Sequence, residues 1–258
     1  MTDVGLLLKD WRERRRLSQL ELANEAGVSA RHLSFIETGR SKPTSQMILR
    51  LAEELEVPLR AQNQLLLAGG FAPAHEEKAV TELSVVTEAM NAIIEGHMPY
   101  PALAADRGWD LVAGNEAVFV MADLAEDKSL LEPPINVIRL SLHPRGLAPY
   151  LLNLAQWRRH LVERLQSEYA ASADPRLREI LDEVATYPGG NEEAEPTGGL
   201  VVPMRALVGD TVLSLFSATT VFGSPREVTV SELAIEAFYP ADDVTRAFFQ
   251  SAFPTPTG

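Results

Sequence analysis

Residues 18–43 read SQLELANEAGVSARHLSFIETGRSKP, and this stretch decides how the N-terminal part of the chain folds. Ser18 and Glu21 have the spacing of a capping box, in which each side chain accepts a hydrogen bond from the backbone amide of the other. Ser29 is predicted to cap a second apolar-periodic run, and Gly27 supplies the turn between the two runs. Two short helices joined by a three- or four-residue turn with glycine form a helix-turn-helix.

Apolar residues recur at helical spacing both before this motif and after it. The runs are Leu7, Leu8 and Trp11; Ile48, Leu51, Ala52 and Leu55; and Leu65 and Leu66. Gly69-Gly70 ends the last run, because glycine tolerates the left-handed conformation found at helix C-termini. The sequence therefore predicts an all-α bundle of five helices over residues 1–73.

Charge is distributed unevenly along the chain. Residues 1–50 hold nine Lys and Arg against six Asp and Glu, whereas all 258 residues hold 23 against 36, a net charge of −13. A basic end on an acidic chain is expected where that end contacts an anion, with chance clustering as the alternative. The dense run Arg12, Arg14, Arg15 and Arg16 is interpreted as a solvated helix face rather than a specific site.

Composition and missing motifs exclude several classes of protein. The absence of cysteine removes disulfide scaffolds, thiolate metal sites and thiol catalysis. There is no HExxH, no phosphate loop, no GxGxxG and no GxSxG. No apolar run approaches the roughly 18 residues of a spanning helix. We therefore expect a cytoplasmic protein that is not an enzyme, with no catalytic residue, metal or cofactor and no membrane association.

Residues 18–43 resemble the phage-repressor (Xre) class of helix-turn-helix proteins. The matching elements are Ser18-Gln19, Glu21, Leu22-Ala23, Ala26-Gly27-Val28-Ser29, Leu33-Ser34, Ile36-Glu37 and Gly39. The resemblance implies that the second helix of the motif enters the DNA major groove with its N-terminal residues. It also implies a homodimer on double-stranded operator DNA, with one half-site for each protomer.

The second helix of the motif and the loop after it supply most candidate DNA contacts. Arg31 is the candidate for reading guanine, since a guanidinium bonds both O6 and N7. Phe35 is expected to contact thymine methyl groups, with packing inside the bundle as the alternative. Gln19 resembles the family's phosphate-contacting glutamine. The full candidate set is Gln19, Ser29, Ala30, Arg31, His32, Ser34, Phe35, Thr38, Arg40, Ser41 and Lys42.

Residues 79–258 alternate helical and strand patterns. Two hairpins are predicted, one around Arg107-Gly108 and one over Gly209-Asp210, and a further strand over residues 231–239. Helices are predicted over residues 79–95, 115–124, 150–171, 174–187 and 241–251, and residues 136–144 fit a strand or a short helix. This pattern indicates an α+β domain with an antiparallel sheet. The order of two strands, helices and three strands is that of a PAS-like sensor domain.

This second part resembles the ligand-binding domain of the MmyB-like regulators. The matching pieces include Pro101-Ala102 to Trp109-Asp110-Leu111, Arg139-Leu140-Ser141-Leu142-His143-Pro144, Asn153-Leu154-Ala155-Gln156-Trp157 and Glu236-Ala237-Phe238-Tyr239-Pro240-Ala241-Asp242. The resemblance covers nearly the whole chain. It implies an apolar pocket in the PAS-like domain that holds a small apolar or acyl ligand resembling a fatty acid.

Candidate ligand contacts are the unusual polar groups inside apolar runs. They are His97, Tyr100, Asn115, Arg139, His143 and Asn153, together with Trp157. Arg139 suits a carboxylate head group through bidentate hydrogen bonding. The structural alternatives are that Asn115 caps a helix, His143 bonds the backbone and Arg139 pairs with an acid.

The sequence thus predicts a ligand-responsive transcription regulator. Residues 1–73 form the DNA-binding domain, and residues 79–258 form a PAS-like domain for ligand binding and dimerisation. The alternative is a DNA-binding protein whose second domain serves only dimerisation or protein interaction.

Overall fold

A computed structural model of the chain describes residues 3–189, 202–223, 225 and 227–254. Contacts between Cα atoms divide the chain into two compact units. The first unit is Met1–Lys78 with Ala170–Ala173 and Pro225–Ser231, and the second is Ala79–Tyr169, Asp174–Ser224 and Glu232–Gly258.

The N-terminal segment of the first unit forms five α-helices, as the sequence predicts. They are α1 (Val4–Arg14), α2 (Gln19–Glu25), α3 (Ala30–Glu37), α4 (Ser45–Glu54) and α5 (Leu59–Ala68). The capping box of α2 is present, with Ser18 Oγ 3.2 Å from Glu21 N and Glu21 Oε2 2.7 Å from Ser18 N. Ser29 Oγ accepts from His32 N at 3.1 Å, and Gly27 has a φ of +59° in the turn. The helix-turn-helix is therefore α2 and α3.

Close packing of α1 on α3 completes the bundle. A Cβ on Gly5 would lie 2.1 Å from the carbonyl oxygen of Ile36, so only glycine permits this approach. The core around it is apolar and almost fully buried, with Leu8, Leu22 and Leu33 at 0% exposure. The orientation of α3 is therefore fixed against both α1 and α2.

The chain after α5 forms seven further α-helices and five strands within the described residues. In chain order they are α6 (Ser84–Glu95), β1 (Ala102–Ala105), β2 (Leu111–Gly114), α7 (Glu116–Ala122), α8 (Val137–Leu142), α9 (Leu154–Ser172), α10 (Pro175–Ala185), β3 (Met204–Val208), β4 (Thr211–Val221), α11 (Val228–Ser231), β5 (Ala234–Pro240) and α12 (Asp243–Ala252). The strands form one curled antiparallel sheet in the order β2-β1-β5-β4-β3. The predicted α+β class and the order of strands and helices are confirmed.

Several predicted boundaries are wrong, and tertiary contacts explain them. The helix predicted from residue 150 begins at Leu154, because Leu152 N instead donates to Arg205 O beside β3 at 2.8 Å. The helix predicted from residue 79 begins at Ser84, and the strand predicted from residue 231 begins at Ala234, after α11. Residues 137–142 are helical.

The two faces of the sheet pack differently. Ala102, Ala104 and Ile235 face α6 and form a small core with Met90 and Ile94. Strand alternation turns the neighbouring residues to the other face, where Leu103, Leu213 and Leu215 join a large core with residues of α7 to α10. This second face carries the cavity described below.

Asn115 connects the helix and strand at this junction, and its removal tests the fold. Its side chain accepts from Ala102 N at 3.1 Å and donates to Ile94 O at 3.1 Å and Tyr100 O at 2.9 Å. Asn115→Ala removes the bond to Ile94 O and takes a partner from Ala102 N and Tyr100 O, so we expect the free energy of unfolding to fall by about 2–4 kcal/mol in urea denaturation. The control Asn91→Ala changes an exposed asparagine of α6. Equal stabilities of the two variants would contradict this account.

Candidate nucleic-acid interface and ligand cavity

An aromatic ring on α3 lies beside two cations, one on α3 and one in the loop that follows it. Arg31 and Arg40 are exposed, and their guanidinium carbons lie 5.4 Å and 6.0 Å from the centre of the Phe35 ring. Phe35 is half-buried and does not belong to the apolar core of the unit. A cation near the face of an aromatic ring is attracted by its quadrupole. The three side chains therefore form one surface patch, the α3 patch.

The other candidate contacts flank this patch along the chain. Ser29 and Thr38 bound α3, and Thr38 Oγ1 donates to Ser34 O at 2.7 Å. Lys42 is exposed in the segment that follows α3. The remaining members, Ala30, His32, Ser34 and Ser41, are half-buried. The segment from Ser29 to Lys42 thus carries ten of the eleven candidates.

A buried ion pair connects α1 to the end of α3. Arg12 Nε and Nη2 donate to Glu37 Oε1 and Oε2 at 2.7 Å and 2.9 Å, and Arg12 Nη1 donates to Leu17 O at 2.8 Å. The hydrogen bonds that Arg12 donates to Glu37 raise the pKa of Arg12 and outweigh the opposing effect of burial. Arg12 is 8% exposed and Glu37 2%. The interpretation of the arginine run as a solvated face is therefore wrong for Arg12.

The same carboxylate holds Gln19, the remaining DNA candidate. Gln19 Nε2 donates to Glu37 Oε2 at 2.7 Å, so the first residue of α2 is tied to the end of α3. The sequence could have indicated this arrangement, because residues four apart lie on the same face of a helix. Arg12 follows the apolar Leu8 by four residues, and Glu37 follows the apolar Leu33 by four. Both charges thus fall on buried faces.

An apolar cavity of about 170 Å³ lies within the second unit, between the sheet and the helices. Leu103, Leu215 and Phe238 line it from β1, β4 and β5. Helices α7, α8 and α9 line the opposite side with residues that include Met121, Ile138, Trp157 and Leu161. A largely apolar wall with few polar groups is the usual form of a small-molecule site.

Three of the residues that line this cavity have polar side chains: Ser141, Ser217 and Glu236. Ser141 Oγ accepts from Trp157 Nε1 at 2.9 Å. Glu236 is 3% exposed, and its Oε1 accepts from Arg164 Nη2 at 2.6 Å and Thr219 Oγ1 at 2.8 Å. None of the three was singled out from the sequence, although a glutamate inside the apolar strand Ala234–Pro240 is a signal that would have found one of them.

Arg164 connects Glu236 to a second carboxylate. Arg164 Nε donates to Glu168 Oε1 at 3.0 Å, and its guanidinium carbon lies 4.4 Å from the centre of the Trp109 ring. Burial lowers the pKa of Arg164, but the hydrogen bond and charge of Glu236 outweigh burial and leave the pKa raised. Arg164 therefore stays charged, held between two carboxylates and an aromatic face.

Trp157 is the one predicted ligand residue that lines the cavity; the other six lie elsewhere in the second unit. Arg139 Nε donates to Glu183 Oε2 at 2.7 Å, as the ion-pair alternative describes. His143 Nδ1 accepts from the backbone amide of Arg145 at 3.1 Å. Both side chains thus bond within the protein.

The remaining predicted ligand residues also bond within the protein. His97 Nε2 donates to Phe238 O at 2.7 Å. Asn153 Nδ2 donates to Pro203 O at 2.8 Å, and Tyr100 packs edge-on against Phe249. Asn115 precedes α7, but its side chain bonds the three backbone groups described above instead of capping the helix.

Comparison with known families accounts for both units. The model described as MmyB-like transcription regulator ligand binding domain matches residues 86–252, and the helix-turn-helix model matches residues 8–62. The chain belongs to the MmyB-like transcription regulators. This MmyB-like regulator is a DNA-binding helix-turn-helix protein of the Xre type with a ligand-binding domain.

Two curated proteins are similar to the N-terminal part of this MmyB-like regulator. The ImmF control region 10 kDa protein of Bacillus phage phi105 is 35% identical over 72 residues, which is 26% of this chain and 80% of the phage protein. The HTH-type transcriptional repressor RghR of Bacillus subtilis (strain 168) is 37% identical over 83 residues, 32% of this chain and 60% of RghR. Among the described residues, no helix combines the length and hydropathy needed to cross a membrane.

The buried pair of Arg12 and Glu37 leads to a stability prediction. Arg12→Ala leaves the Glu37 carboxylate buried without its main partner, so we expect the free energy of unfolding to fall by about 3–5 kcal/mol in urea denaturation. The double change Arg12→Met with Glu37→Leu should recover most of this loss, because both charges are then absent. Lys9→Ala on the same helix is the control, since its ion pair with Glu13 is exposed. A loss in Arg12→Ala no larger than in this control would contradict the account.

Proposed function

We propose that this MmyB-like regulator changes its affinity for operator DNA when a small apolar ligand with a fatty-acid-like chain enters the cavity of the second unit. The observation that carries the proposal is the cavity itself. It has room for a small organic molecule, and its lining is almost entirely apolar. Its position within the domain that matches a ligand-binding family supports the same conclusion.

The regulation follows from unequal binding. A ligand shifts an equilibrium between two states of the protein only by the difference between its affinities for those states. If the state that binds the ligand more tightly has a different affinity for DNA, the two binding events are coupled reciprocally. The proposal therefore requires two states of the regulator, which the ligand and the DNA prefer to different degrees.

We propose that the second domain, residues 79–258, is a PAS-like sensor and that Trp157 contacts the ligand directly. The strand order β2-β1-β5-β4-β3 supports the PAS-like assignment. For the other six predicted residues we propose a supporting role, because they hold backbone and side chains around the cavity through the bonds described above. They are His97, Tyr100, Asn115, Arg139, His143 and Asn153.

We propose that the first domain, residues 1–73, binds one half-site and that the regulator is a homodimer. Helix-turn-helix domains of this kind bind paired half-sites about one helical turn apart, each read by one recognition helix. In this proposal Arg31 and Phe35 of the α3 patch face the major groove, with Arg31 on a guanine and Phe35 on thymine methyl groups. Gln19, Thr38, Arg40, Ser41 and Lys42 hold the phosphate backbone.

Two substitutions separate base reading from backbone contact. Arg31→Ala should relax the preference at one base pair by about 1–3 kcal/mol, because the bidentate contact to guanine is lost. Lys42→Ala should weaken binding to all sequences alike and reduce the salt slope by about 1, because only a phosphate contact is lost. Selection from a random DNA library, followed by affinity measurements at several salt concentrations, gives both quantities. An unchanged selected sequence in Arg31→Ala would contradict the assignment of Arg31.

Filling the cavity tests the ligand proposal. Ala122 of α7 lines the cavity and is 4% exposed, so Ala122→Leu adds bulk where the ligand would lie. We expect mass spectrometry of denatured wild type to identify a bound apolar molecule, and Ala122→Leu to carry less of it. Ala92→Leu, on the exposed side of α6, is the matched control and should retain the molecule.

Two measurements on the wild type together can contradict the ligand proposal: its bound small molecules and its melting temperature. If wild type carries no such molecule and no medium-chain acyl compound raises its melting temperature, the proposal is contradicted. The second domain would then serve only dimerisation or protein interaction.

A further inference from the structure

We propose that the ligand of this cavity ends in a neutral hydrogen-bond donor, such as a hydroxyl group, and not in an ionised carboxylate. The inference rests on the proposed function, because it names the chemistry of the ligand that enters the same cavity. The ligand would resemble a fatty acid in its chain but differ from it in its head group.

Glu236 lies in the middle strand of the sheet, between β1 and β4. In β5, Glu236 pairs with Leu103 of β1 on one side and with Thr219 of β4 on the other. Glu236 and Phe238 are two residues apart, so both face the cavity, and both line it. A carboxylate that is 3% exposed therefore forms part of an otherwise apolar wall.

One oxygen of Glu236 is available to a donor. Both hydrogen bonds that Glu236 makes within the described part of the chain are accepted by Oε1, from Arg164 and Thr219. Oε2 accepts none from the described residues. Oε2 is not among the fully enclosed atoms that lack a partner, so it stays open to a donor, and a donor placed in the cavity beside it gains a hydrogen bond to a charged acceptor.

The surrounding charges oppose a carboxylate ligand. Arg164 is already shared between Glu236 and Glu168, so two carboxylates surround one guanidinium. His160 on the same helix adds little positive charge, since burial and Arg164 lower its pKa. Among the described residues that line the cavity, none is Lys, Arg or His. An ionised ligand carboxylate would thus be buried beside Glu236 without a cation of its own.

Ser217 completes a site suited to a hydroxyl group. Ser217 pairs with Phe238 across β4 and β5, which makes it the diagonal neighbour of Glu236 on the same face of the sheet. Both residues line the cavity. A ligand hydroxyl between them can donate to Glu236 Oε2 and accept from Ser217 Oγ, so both of its hydrogen-bonding functions are used.

The cavity volume sets the length of the test molecule. An engineered apolar cavity of about 150 Å³ holds a benzene molecule, and the volume here is about 170 Å³. A medium-length chain therefore fits better than a long one, and we choose eight carbons. Three compounds of equal length separate the head groups: n-octanol donates and accepts, octanone only accepts, and octanoate is an anion.

Calorimetric titration of the full chain with the three compounds tests the inference. We expect octanol to bind at least about tenfold more tightly than octanone or octanoate, the effect of one hydrogen bond to a charged acceptor. In Glu236→Gln the preference for octanol over octanone should fall to less than about threefold, because the amide can also donate to a ketone. Ser217→Ala, which leaves the ion pairs intact, should weaken octanol, because the ligand's hydroxyl oxygen loses its donor.

The outcomes separate this inference from the function it rests on. If octanone or octanoate binds as tightly as octanol, the inference is overturned and the proposed function stands. The same conclusion follows if Glu236→Gln leaves the preference unchanged and Ser217→Ala leaves octanol binding unchanged. If none of the three compounds binds wild type, both the inference and the proposed ligand class fail.

Discussion

Strand β5 pairs with β1 on one side and with β4 on the other, and the rest of the second unit depends on this pairing. This pairing joins the β1–β2 hairpin, near the start of the domain, to the β3–β4 hairpin, near its end. Because side chains alternate along a strand, it also decides which residues face α6 and which face the cavity. Ile235 packs with α6, whereas Glu236 and Phe238 form part of the cavity wall. A shift of one residue would bury the opposite set.

A buried ion pair has a comparable role in the first unit. Replacing such a pair with apolar residues is often neutral or stabilising, so the pair of Arg12 and Glu37 is weak evidence for stability as such. Its geometry matters more. Glu37 lies at the end of α3 and bonds both Arg12 of α1 and Gln19 of α2. Helix α3, which carries Arg31 and Phe35, is therefore held at a fixed orientation to Gln19, the residue of α2 that is proposed to contact phosphate.

Local signals made much of the fold predictable. Ser18, Glu21 and Ser29 specify helix starts within a few residues, and those capping bonds are present. The two hairpins followed from the turns at Arg107-Gly108 and Gly209-Asp210 in the same way. The predicted helix boundaries were wrong where a hydrogen bond to a distant residue decides them. Leu152, for example, donates to Arg205 of β3 and does not extend α9.

The site was less predictable from the sequence, because the hydrogen-bond partner of a buried polar residue can lie far away along the chain. Asn115 and Arg139 stood out as polar residues in apolar runs, but they bond groups elsewhere in the chain and not the cavity. Glu236 bonds Arg164, which is 72 residues away.

The central claim is that ligand occupancy of the cavity is coupled to DNA affinity. The most direct measurement is the dissociation constant of the full chain for its selected DNA site, with and without a saturating cavity ligand. Our account predicts that the ligand changes this constant severalfold or more and that DNA changes the ligand's dissociation constant by the same factor. An unchanged DNA affinity at full ligand occupancy would contradict the account and leave a binding cavity without a sensing role.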